Sequence, residues 1–129
     1  MAYLPDEQVS KILSADLTRY TKNTPVSLAA VYASLRVTRE RGFAISEQEY
    51  EEDINAVAAP ILDADGCPVA VIAIAGPSYR LPLERMLVLG HSIQVTTEAI
   101  AREMGLATLS AFVSNTVAAG SARKSKQRG

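Results

Sequence analysis

The stretch AVAAPILDADGCPVAVIAIA, residues 56–75, decides the fold. It reads as two apolar runs joined by a turn. Ala56 to Asp63 has strand length, and so does Val69 to Ala75. Between them, Asp63-Ala64-Asp65-Gly66 supplies a short polar side chain that bonds its own backbone and a glycine free to take positive φ. Two strand-like runs bracketing such a turn predict an antiparallel hairpin. Pro60 lies inside the first run and lacks an N–H, which predicts an edge position or a bulge there. The second run is apolar at every position, so both of its faces are expected to be covered.

Upstream of the hairpin, Phe43 to Ser46 is a further short strand. Glu47 to Asp53, with five acids in seven residues, reads as a solvated loop. Ser27 is placed to cap a helix whose apolar stripe is Leu28, Val31, Tyr32 and Leu35. Gly42 follows its basic last turn as a stop. Before it, Pro5-Asp6-Glu7 opens a first helix. Val9, Ile12, Leu13, Leu17 and Tyr20 carry this helix to a break at Asn23-Thr24-Pro25. Downstream, Gly76-Pro77 ends the hairpin. A long helix then runs from about Pro82 to Met104, with Leu83, Met86, Ile93, Ile100 and Met104 on one face. Gly90 would permit close approach, and Gly105 would end the helix. The order predicts an α+β layer fold: a small antiparallel sheet flanked by helices, the second helix on one face and the long one on the other.

Composition narrows the function classes. The chain has 129 residues, 48% hydrophobic and 21% charged, enough for one packed domain. Its net charge is −1. Four of its thirteen basic residues (Arg123, Lys124, Lys126 and Arg128) crowd the end, so residues 1–122 are acidic and unsuited to gripping phosphates. That basic tail reads as disordered and solubilising. One cysteine, Cys67, excludes an internal disulfide and suits a reducing cytoplasm. With one histidine, His91, a Cys/His zinc site lacks ligands. The acidic loop lacks the spacing of a calcium loop. There is no secretory signal pattern and no apolar run near the ~20 residues of a membrane span. No catalytic constellation or cofactor motif is visible, so the chain reads as a non-enzyme without a cofactor.

Several segments together resemble one family. Ala2-Tyr3-Leu4-Pro5 before acids, Arg39-Glu40-Arg41-Gly42-Phe43-Ala44 at a helix-to-strand junction, and the acidic stretch Glu47 to Glu52 are three of them. Ala58-Ala59-Pro60-Ile61 with Asp63 and Asp65-Gly66, then Ile74-Ala75-Gly76-Pro77 with Arg80, complete the set. Their order across residues 2–105 resembles the GAF-like, C-terminal effector-binding domain of the IclR family of bacterial transcription regulators. The resemblance implies a winged helix-turn-helix that reads DNA in the family and is lacking here. It also implies a chain that begins inside the sensing domain, after the opening strands of its sheet. Residues 1–105 would be a partial effector-binding domain, and 106–129 an extension without counterpart.

By the same resemblance the effector pocket falls on Ser46, Ile54, Ala56, Ala73 and Ala75. Ser46 stands where some members have an acid, Ala56 where many have a cysteine, and Ala73 and Ala75 where many have two serines. Residues two apart on a strand share a face, which agrees with a common wall. Polar anchors are replaced by Ser and Ala, each lost hydrogen bond worth about 0.5–1.5 kcal/mol, or about 1.5–3 when charge-assisted. The expected effector is therefore a small apolar or aromatic molecule. Plain core packing competes for Ala73 and Ala75. Two functional readings stand: a ligand-sensing part of an IclR-type regulator, or a ligand-free module or gene remnant. The second would pair with itself or with a full-length relative. Neither reading has this chain bind DNA directly or enter a membrane.

Overall fold

The computed structural model describes residues 1–106. Their order is α1 (Asp6–Ile12), α2 (Leu28–Arg41), β1 (Ala44–Glu47), β2 (Ile54–Leu62), β3 (Pro68–Pro77) and α3 (Leu83–Glu103). The strands form one antiparallel sheet in the order β1-β2-β3. The fold is α+β, as expected. The expected extension and its basic tail lie, beyond Leu106, outside the described residues.

The hairpin turns where the sequence places it. The Asp63 carboxylate accepts from the backbone N–H of Asp65 and of Cys67, at 3.0 and 2.9 Å. Gly66 takes φ +78°, a conformation side-chain-bearing residues avoid. β2 is the central strand, and its residues alternate between half-buried and buried along the whole length. Pro60 is nevertheless tolerated there. Gln48 N–H donates to the Ile54 carbonyl, so the even-numbered backbone groups of β2 point toward β1. The β1 pairing ends at Ala58, leaving Pro60 on a local edge with no ladder bond to lose.

The two faces of the sheet differ. On one, Phe43, Ile45, Val57, Ala59 and Ile72 pack against Leu81, Met86, Leu89 and Ile93 of α3 and the segment before it. Fully burying each of these larger side chains contributes about 1.5–3 kcal/mol. Gly90 makes the contact possible: a Cβ there would sit 2.2 Å from the Phe43 ring. Buried Asn55 donates its Nδ2 to the Leu81 carbonyl at 2.9 Å and pins the approach to α3.

Three expectations need correction. The first helix stops at Ile12, well short of Tyr20, because the Ser14 hydroxyl turns back onto the Lys11 carbonyl and competes with helix continuation. β3 is an outer strand whose faces are not both covered: Val69 is 50% and Val71 64% exposed. The reason lies in α3, which leans onto Phe43 through Gly90 and packs over β2 rather than β3. Finally, α2 does not lie flat on the second face. Its cap is as expected, with the Ser27 hydroxyl accepting from Ala30 N–H and Gly42 at φ +88°. Yet Leu28 and Tyr32 of its expected stripe are exposed, and only Thr38 is buried. The helix touches the sheet at β1 and overhangs the rest.

Candidate functional site

Under that overhang lies a cavity of about 310 Å³. Its floor is the sheet face turned away from α3: Ala44, Ser46, Ala56, Ala58, Pro60 and Val71, with Ile45 and Val57 contributing at the edges. Its walls are Met1–Tyr3, the Ser34-Leu35-Thr38 side of α2, and Glu49 from the acidic loop. Small side chains on the floor leave the space, and α2 spans it without filling it.

Two side-chain clamps hold the walls. Arg39 donates from Nε to the Ala2 carbonyl and reaches the Asp6 carboxylate at 3.6 Å, which pins the first residues across α2. On the other side, the Thr21 and Thr24 hydroxyls donate to the carbonyls of Gln48 and Glu49. Asn23 Nδ2 donates to the Glu47 carbonyl at 3.1 Å, and the Tyr20 and Tyr50 rings meet with centroids 4.9 Å apart. The loop's sharp path uses left-handed backbone at Gln48 and Asp53. Glu49 is thereby turned inward. Burial, and then the neighbouring Glu47 carboxylate, push its carboxyl above the usual range. Burial likewise raises the Tyr3 phenol, with Arg39 opposing.

The five sequence-derived positions all lie on the floor's side of the sheet. Ser46, Ala56 and Ala75 form one row across the three strands, and Ala73 lies in the next row with Ala44 and Ala58. Ser46 and Ala56 line the cavity; Ile54 (opposite Pro77), Ala73 and Ala75 do not. Ala75 instead borders a second, more open groove with Pro77, Arg80 and Arg85 at the start of α3. Ala73 and Ala75 are exposed, so core packing does not claim them. Sequence reasoning missed Tyr3, Ser34, Thr38 and Glu49. The acidic loop is mostly solvated as expected, with Glu49 the exception. The hydroxyl-rich segment Thr21–Thr24 opposite it was the available signal.

The remaining candidates are plain. His91 is exposed and meets the edge of Phe43 with ring centroids 5.1 Å apart. Cys67 is exposed in the hairpin turn. Among the described residues, no three His, Cys, Asp or Glu side chains are placed to hold a metal ion, and no helix is long and apolar enough to cross a membrane.

Three helices and a three-stranded antiparallel sheet give the chain an α+β architecture that it shares with part of solved IclR-family regulators of bacterial transcription. The chain belongs to the family described as bacterial transcriptional regulator IclR C-terminal, whose model matches residues 1–102. It is similar to the HTH-type transcriptional repressor AllR of Escherichia coli K12, 33% identical over 101 residues, or 78% of this chain and 37% of that protein. In structure it is similar to IclR of Thermotoga maritima, with TM-score 0.74 and 28% identity over 81% of this chain and 42% of that one. A transcriptional regulator from Rhodococcus sp. RHA1 has the same TM-score at 31% identity, over 80% of this chain and 42% of that one. The chain thus spans well under half the length of the relatives it matches, and those relatives are regulators of transcription.

Proposed function

We propose that residues 1–105 form the small-molecule-sensing part of an IclR-type transcription regulator, with residues 106–129 an extension to it, and that the cavity is the effector site. The observation that carries this is the cavity itself. It has a floor of small side chains, a sparsely packed helix as roof, and a volume at the lower end of the ~300–1,000 Å³ usual for ligand sites. The proposed effector is a small, largely apolar or aromatic molecule, with Ser46 as one polar handle. DNA reading belongs to another part of the regulator, and this chain acts in the cytoplasm as a non-enzymatic partner without a cofactor. Calorimetric titration of the 129-residue chain with a panel of aromatic and short-chain acids, alcohols and amines tests it. An Ala56→Leu variant, which fills the floor, is expected to abolish binding while its melting temperature stays within a few degrees. Binding that survives the filled floor, or none in the parent chain, would remove the cavity from consideration.

A second reading has its own observation in β3. Its outer edge and its exposed Val69 and Val71 offer backbone and apolar surface to another chain. This favours self-association, or pairing with a full-length relative, and is compatible with the first reading.

A further inference from the structure

Glu49 is one acid of five in its loop, and the one that lines the cavity. No Lys, Arg or His stands among the residues lining that cavity. The Arg39 guanidinium is committed to the Ala2 carbonyl and to Asp6, and borders a separate groove together with Tyr3. Glu47, the acid nearest to Glu49, is exposed and adds repulsion rather than neutralisation. The other polar lining side chains, Tyr3, Ser34, Thr38 and Ser46, are hydroxyls.

We infer that Glu49 sets the charge of the effector: the cavity selects an aromatic molecule bearing an ammonium group, accepts a neutral hydroxyl, and rejects a carboxylate. This rests on the cavity being the ligand site. A carboxylate entering it would leave water for a wall that already holds a half-buried negative charge and whose other polar side chains are hydroxyls. An ammonium would instead make a charge-assisted hydrogen bond to the Glu49 carboxylate, the stronger kind in a partly desolvated site. The clamp on the Gln48 and Glu49 carbonyls holds the carboxylate's backbone in place before a ligand arrives, so little ordering is needed on binding.

Three near-isosteres separate the charge states: benzylamine, benzyl alcohol and benzoate, titrated at neutral pH into the 129-residue chain and its Glu49→Gln variant. Benzylammonium is expected to bind most tightly and benzoate least, with roughly tenfold or more between them. Glu49→Gln is expected to weaken benzylammonium by about tenfold, strengthen benzoate, and change benzyl alcohol by less than about threefold. A Glu47→Gln control keeps the parent order. Thermal melts of each variant verify the fold. Benzoate binding as tightly as benzylammonium in the parent, or an unchanged order in Glu49→Gln, overturns the charge selection and leaves the cavity as a ligand site. If none of the three binds either form, the ligand-site reading fails and the selection fails with it.

Discussion

The face of the sheet under α3 and the face under α2 are built from the same three strands and do opposite things. Under α3, Phe43, Val57 and Ala59 are essentially inaccessible, and one helix rests directly on them through Gly90. Under α2, the same strands present Ala44, Ser46, Ala56 and Ala58, and the helix stands off far enough to leave about 310 Å³. Side-chain volume at alternate positions therefore decides which face is core and which is cavity. The lesson is that a period-2 strand carries two messages, one for a packed core and one for an open cavity.

Damage to one face should leave the other largely untouched. Phe43→Ala removes the largest fully buried side chain among the described residues, and is expected to cost about 3–5 kcal/mol in a urea unfolding titration. A loss below about 1 kcal/mol would mean that α3 does not depend on this contact. On the open side, Val71→Lys is expected to move stability by no more than about 0.5 kcal/mol, because the side chain is already exposed. It should nevertheless reduce any self-association seen by light scattering, since lysine blunts an exposed edge strand. Equal self-association in the parent and the variant would place the contact elsewhere than on β3.

The smallest expected effect concerns pH. Glu49 has its folded pKa raised above the ordinary 4.5, so the native state holds that proton more tightly than the unfolded chain does. The resulting stabilisation is present below the ordinary carboxylate range and is lost as pH rises through the raised folded value. The parent should therefore lose stability relative to Glu49→Gln as pH rises from about 4.5. Solvent screening keeps the difference under about 1 kcal/mol. A parent that gains on the variant over that interval would contradict an inward Glu49.

Much of this was legible in the sequence because it is local. The turn at Asp63–Gly66, the Ser27 cap and the Gly42 stop each depend on a few neighbouring residues. So does the assignment of Ser46, Ala56, Ala73 and Ala75 to one face, given strands and a family resemblance. What was not legible depends on partners distant in the chain. Leu17 and Tyr20 keep helical spacing, yet Tyr20 meets Tyr50 and Thr21 reaches the Gln48 carbonyl, twenty-seven residues on. Which of five acids turns inward follows from those same contacts. The exposure of β3 follows from where α3 comes to rest, and an unbroken apolar run carries no information about that.

The roof of the cavity has a consequence for how the molecule comes apart. α2 buries only Thr38. Arg39 on α2 grips the first residues, and the segment that leads into α2 carries the two threonines that clamp the acidic loop. Helices with so little buried surface open at low free energy, ahead of global unfolding. When α2 lets go, both walls lose their anchor while the hairpin and α3 keep their hydrogen bonds. Its amides therefore exchange with deuterium sooner than those of α3, and the cavity is lost as a recognisable shape while most of the core is still intact.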